Sequence, residues 1–239
     1  MQHRWTAGPA SITLVRHAES LGNVADADAR DAGAEVLDLA ERDADVPLSD
    51  TGRQQAAGLA RWLGGGERPD VVISSPYRRA LETARVACEG VGAEIEQDER
   101  LRERDLGLFD GLTGLGIRVR HPEEAQRRRR LGKFYYQPPS GESWVDVVLR
   151  VRSFLRDLEQ LQDSRVWLFT HQAVIMAHRY VLEGLDEEEV LALDREAPLP
   201  NVSMTVYRRA DERMELESFA DTSAVERHDA PVTHEPGAT

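Results

Sequence analysis

Three short apolar runs constrain this chain most: Ile12–Val15 ("ITLV"), Val71–Ser74 ("VVIS") and Val166–Thr170 ("VWLFT"). Each has the length and the β-branched or aromatic content of a strand buried on both faces, which suits a parallel sheet covered by helices. Further strands are predicted at Ser203–Tyr207 and, shorter, around Glu94–Gln97. Helical patterns fill the intervals. One begins near Ser49–Thr51, where Thr51 and Gln54 can form a capping box, and runs to Leu63 before "GGG". Others cover about Arg78–Cys88, Ser143–Leu161, Ala173–Leu182 and Glu187–Asp194. Strands alternating with helices predict a three-layer α/β/α sandwich with a mostly parallel central sheet and an antiparallel edge strand at Ser203–Tyr207.

The 239 residues suit a single domain over 1–220. Two segments stand outside the strand–helix rhythm. Val24–Val46 is acidic and alanine-rich with no strand signal, and predicts an excursion able to serve as a lid. Residues 221–239 are polar with two prolines, and predict a disordered tail. No run of 18 apolar residues is present, so no membrane span is expected. The start, "MQHRWTAGPA", lacks the apolar stretch of a secretory signal. Cys88 is the only cysteine, which excludes an intramolecular disulfide and a cysteine-based zinc knuckle. A cytoplasmic protein is the expectation. The net charge of −13 argues against nonspecific nucleic-acid binding, which depends on neutralising phosphates. It leaves room for a small anion where arginines gather.

Ligands of open α/β sheets collect at the carboxyl ends of the strands. Here "ITLV" is followed by Arg16-His17, "VVISSP" by Tyr77-Arg78-Arg79, and "VWLFT" by His171. Three strands therefore deliver imidazoles and guanidiniums to one edge. Burying several cations together without an anion is costly, so the convergence predicts an anion site.

The residues around these strand ends carry a resemblance. Arg16-His17-Ala18-Glu19-Ser20, with Asn23 following, resembles the Arg-His-Gly-Glu motif of the histidine phosphatase superfamily, in its phosphoglycerate-mutase-like branch. Ala18 stands where glycine is usual. "SSPYRRALETA" resembles the second motif and selects Arg79 over Arg78; "LRERDLGLFDG" resembles the acid-bearing motif and selects Glu103. "FTHQAVIMAHRY" resembles the second-histidine motif and selects His171 over His178. The likeness runs from about Ser11 to Tyr207. It implies a phosphoglycerate-mutase-like fold and a phosphohistidine formed on His17. It implies a phosphoryl group held by Arg16, Asn23, Arg79 and His171, and Glu103 as acid and then base. The chemistry is coherent: a neutral imidazole attacks phosphorus well, and phosphoryl transfer needs positive charge fixed around the equatorial oxygens. No group of residues has metal-ligand spacing, and no cofactor or metal is implied.

His17-Ala18-Glu19 also fits the H-x-E of zinc deaminases, whose P-C-x-x-C partner is absent, and no Walker A loop is present. In Arg127–Arg130, spacings from Glu123 and Glu124 predict a solvated helix face, with substrate capture as the alternative. Phe134, Tyr135 and Tyr136 read as a packed loop or as a pocket wall for a leaving group. The expected activity is metal-independent hydrolysis of a small phosphorylated metabolite. A phosphoglycerate mutase is the first alternative; it expects Tyr-Gly where this chain has Leu106-Gly107, and a longer insertion before "GES". A noncatalytic phospholigand-binding protein is the second.

Overall fold

A computed structural model describes residues 5, 7–66, 68–196 and 199–234. Among them a mixed six-stranded sheet runs in the order β3-β2-β4-β1-β5-β6. The strands are β1 (Ser11–Arg16), β2 (Val71–Ser74), β3 (Ile95–Gln97), β4 (Arg165–Thr170), β5 (Met204–Ala210) and β6 (Arg213–Asp221). β1, β2, β3 and β4 are parallel, and β5 and β6 are added antiparallel.

Alternation along the strands divides the core in two. Ile12, Leu14, Val166 and Leu168 face a cluster closed by α6 (Trp144–Leu158) and α7 (Gln172–Glu183). Val15, Val72, Trp167 and Phe169 face the other side, covered by α2 (Asp50–Gly65), α3 (Arg78–Cys88) and the short α9 (Ser223–Glu226). The expected three-layer sandwich is present. On α6, Val147, Val148, Val151, Phe154, Leu155 and Leu158 are buried at helical spacing. A reciprocal Ser143–Asp146 capping box begins that helix, a device worth about 0.5–2 kcal/mol. The remaining helices are α1 (Leu21–Asp31), α4 (Gly114–Arg120), α5 (Pro122–Leu131) and α8 (Glu187–Glu196). None of the described helices is long and apolar enough to cross a membrane.

Several expectations are corrected. β5 is not the edge strand, because β6 pairs outside it. β6 buries only Met214, so its alternation is too weak to read as a strand. The cap of α2 is Ser49, whose hydroxyl accepts from the Gly52 amide, rather than a Thr51–Gln54 box. The excursion at 24–46 begins as helix: a Ser20–Asn23 capping box starts α1, which extends to Asp31. The segment assigned to a disordered tail is ordered as far as residue 234. Ala224 and Val225 are buried against α2, and Gln55 donates to the Pro231 carbonyl and the Thr233 hydroxyl. A polar composition concealed these few anchoring contacts. Residues 235–239, like 1–4, lie outside the described residues.

Candidate active site

Sheet register sets the site. Arg16 of β1 lies opposite Thr170 of β4, and Ser74 of β2 lies opposite Phe169. The next residues, His17, Ser75 and His171, therefore leave the sheet at one edge. The His17 and His171 rings sit 5.1 Å apart between centroids, and His171 Nε2 is 2.9 Å from Ser75 Oγ. His17 Nδ1 lies 2.8 Å from the Ala18 carbonyl oxygen. A carbonyl can only accept, so Nδ1 carries the proton and the free lone pair is on Nε2. Ala18, placed where glycine is usual, is not among the residues with positive φ, and its amide donates to Thr83 Oγ1 at 3.0 Å. Its methyl group is tolerated.

Both imidazoles are held neutral. Burial lowers the His17 pKa well below the ordinary value, and the Arg79 and Arg16 guanidiniums lower it further. For His171 the causes are burial, then Arg79, then His17. Burial brings the structural His178 down to about 4. Long-range proton–nitrogen NMR of the labelled protein is expected to show all three rings neutral as pH falls from 8 through 6. A ring that protonates near 6.5, the value of a free histidine, contradicts this assignment. The sign for stability follows. Between about 6.5 and the lowered folded values, the unfolded chain binds more protons than the folded one. Stability is therefore lost as pH falls through that window.

A cavity of about 1030 Å³ opens at this edge, and His17, Asn23, Arg79 and Glu103 all line it. Arg16 and His171 are fully buried behind that wall. A terminal nitrogen of Arg16 donates to the Leu199 carbonyl. Asn23 commits its Oδ1 to the Ser20 amide, at 3.0 Å, which leaves Nδ2 as the donor it offers the cavity. Arg79, on the first turn of α3, stands 5.2 Å from the Tyr77 ring centroid and is bound by Asp43. Glu103 follows β3 on a loop fixed by charge. Arg150 donates to the carbonyls of Arg100 and Glu103 and to the Glu142 carboxylate, which also takes Arg102. The Arg104 amide donates to Glu103 Oε1 at 2.7 Å. All six expected site residues are thus gathered at one strand edge, four on the cavity and two behind it.

The helix expected at Arg127–Arg130 is α5, but its arginines are not all solvated. Arg128 and Arg129 line the cavity, while Glu124 pairs with Arg127 at 3.7 Å and accepts from the Tyr136 hydroxyl. Tyr136 lines the cavity too, whereas Phe134 packs in the core and Tyr135 is exposed. Burial lowers the pKa of Arg104, and the nearby Arg128 guanidinium lowers it further, while Glu103, Glu142 and Asp194 act in the opposite direction. Sequence reasoning missed Ser75, Asp43, Arg104 and Asn201. Asn201 Nδ2 donates to the His17 carbonyl at 3.0 Å and so steadies the loop after β1. Ser75 and Arg104 stand inside motifs already singled out; for Asp43 and Asn201 no local signal exists.

Parallel strands that bring paired histidines and arginines to one sheet edge, on and directly behind a cavity wall, suit an α/β protein that handles phosphate. Residues 12–222 match the family model of the histidine phosphatase superfamily (branch 1), and the chain belongs to that superfamily. The glucosyl-3-phosphoglycerate phosphatase of Mycolicibacterium vanbaalenii is 32% identical over 175 residues, covering 70% of this chain and 76% of that protein. The 6-phosphofructo-2-kinase/fructose-2,6-bisphosphatase of Gallus gallus is 32% identical over 182 residues, covering 75% of this chain and 34% of that protein. The chain spans only 33–53% of the length of this and two other similar curated relatives. A solved mycobacterial glucosyl-3-phosphoglycerate phosphatase, complexed with VO3, superposes with a TM-score of 0.71 at 29% identity, covering 88% of this chain and 98% of that one.

Proposed function

We propose that this chain hydrolyses a small phosphomonoester through a phosphohistidine on His17, without a metal. The observation that carries the proposal is the neutral His17 ring, with its Nδ1 proton engaged by the Ala18 carbonyl and its Nε2 lone pair free, on a cavity that Arg79, Asn23 and Glu103 also line. In the first step Nε2 bonds to phosphorus. The bond from phosphorus to the ester oxygen breaks, and a protonated Glu103 gives its proton to the departing alkoxide. In the second step water attacks phosphorus, Glu103 takes the water proton, and the N–P electron pair returns to His17 as phosphate leaves. Arg79, Arg16 and Asn23 hold the equatorial oxygens. His171, held neutral by burial and by Arg79, gains basicity beside the phosphate dianion and donates to it.

The names of the similar proteins support a substrate the size of a sugar phosphate or phosphoglycerate derivative, and the Arg104, Arg128 and Arg129 guanidiniums on the cavity support an anionic one. A cytoplasmic setting belongs to the same proposal and rests on composition. The test is a panel of metabolite phosphates assayed for free phosphate, with and without exhaustive EDTA. Phosphate release that persists in EDTA is expected, because guanidiniums supply the charge that a metal would supply. Activity lost in EDTA and restored by zinc, magnesium or manganese overturns the metal-free mechanism. Equilibration of 3-phosphoglycerate with 2-phosphoglycerate in catalytic 2,3-bisphosphoglycerate, with hydrolysis negligible throughout, identifies a mutase instead.

A further inference from the structure

Arg79 already holds an anion in this structure, and the anion belongs to the chain itself. Arg79 Nη1 lies 2.9 Å from Asp43 Oδ1 and 2.6 Å from the Asp43 carbonyl oxygen, and Nη2 lies 3.3 Å from Oδ2. Two carboxylate oxygens set against two terminal guanidinium nitrogens reproduce the fork by which arginine grips phosphate. The partners differ in freedom. The Arg79 side chain is 7% exposed and rooted on a helix in the core, whereas the Asp43 side chain is 39% exposed. Asp43 sits on a short 3₁₀ turn, Asp43–Asp45, in which no residue is buried. Of the two, Asp43 is therefore the side chain with room to move. Asp43 lines the cavity together with its chain neighbours Glu41, Arg42 and Ala44.

We infer that Asp43 is a built-in competitor for the phosphoryl subsite, a carboxylate that occupies Arg79 until a phosphate dianion displaces it. This rests on the proposed role of Arg79 in holding the phosphoryl group. A single carboxylate meets only Arg79, while a phosphate dianion can also engage His17, Asn23 and His171. Those added contacts are what let a phosphate dianion displace the carboxylate, and the exchange leaves the ranking of ligands that need Arg79 unchanged. It also lowers the apparent affinity for every phosphate ligand by the fraction of molecules in which Asp43 has let go.

Calorimetric titration of inorganic phosphate into the wild type, Asp43→Asn and Asp43→Ala tests the inference, with circular dichroism melts to establish that each variant is folded. The dissociation constant is expected to fall by about tenfold in both variants, the change that follows if Asp43 has released Arg79 in about one molecule in ten. The isosteric Asp43→Asn serves alone if Asp43→Ala does not fold. The same comparison is made in an Arg79→Ala background, followed there by phosphorus NMR because binding is weaker. The gain should vanish there, since the competitor has nothing left to occupy. A gain of equal size without Arg79 means general relief of negative charge and overturns the inference. Wild type and variants with affinities within about twofold of each other also overturn it, and leave the reading of the site intact. Absence of phosphate binding in every form, wild type included, overturns both.

Discussion

His17→Ala is expected to reduce phosphate release at least about a thousandfold, since removing a covalent nucleophile typically costs more than that. The fold should survive. His17 follows the last residue of β1, and its own backbone is held without the ring: its amide donates to the Thr170 carbonyl and its carbonyl accepts from Asn201, so the variant forgoes the ring's bond to the Ala18 carbonyl and keeps these. The companion result is chemical. Brief incubation of the wild type with a turnover substrate, quenched in alkali, should leave one phosphoryl group on His17 by mass spectrometry. The proton on Nδ1 fixes the attachment to Nε2. Phosphate found on a serine, or no adduct during demonstrated turnover, removes His17 as nucleophile.

The second large effect separates two buried histidines, His171 at the N-cap of α7 and His178 within it. His171→Ala should lower kcat by about 10²–10⁴, the usual range for losing a positioned proton or charge donor. Its ring lies 5.1 Å from that of His17 and hydrogen-bonds Ser75, directly behind the cavity wall. His178→Ala should change kcat little and instead destabilise the protein by about 2 kcal/mol, from a cavity plus a lost hydrogen bond. The His178 Nδ1 proton goes to the Val174 carbonyl, and the ring meets Phe154 at 6.2 Å, both internal contacts. Steady-state kinetics paired with thermal melts distinguish the two. Equal kinetic damage from both variants, with both folded, would place the site wrongly.

Much of this was legible in the chain because the chemistry sits where strands end. Apolar runs of four to five residues mark the strands, and the residues after them are Arg16-His17, Tyr77-Arg78-Arg79 and His171. Helical periodicity likewise marked α3 with its observed bounds, and α6 to within a few residues. Elements that bury little left a faint signal. β6 buries one side chain, α9 is held by Ala224 and Val225, and α1 has only Asp26 and Ala29 inside. Hydrophobic pattern reports burial, so an element that buries little is nearly invisible in it.

By itself, then, the sequence determined the α/β order, the strand ends and the chemical types of the groups gathered there. Which of those groups meet was decided only in three dimensions. Parallel register brought Ser75 under His171 across 96 residues, and the path of the 32–46 segment set Asp43 on Arg79 across 36. The closing segment reached back so that Thr233 bonds Gln55 across 178 residues. Gly52 shows the same division. A Cβ there would stand 1.9 Å from the Glu19 carbonyl oxygen, so the packing of α2 against the loop after β1 demands glycine, although nothing in the adjacent residues announces it. Periodicity along a chain records which face of an element is buried. It carries no information about which distant element covers that face, because that choice is made by the mutual fit of surfaces once the layers close.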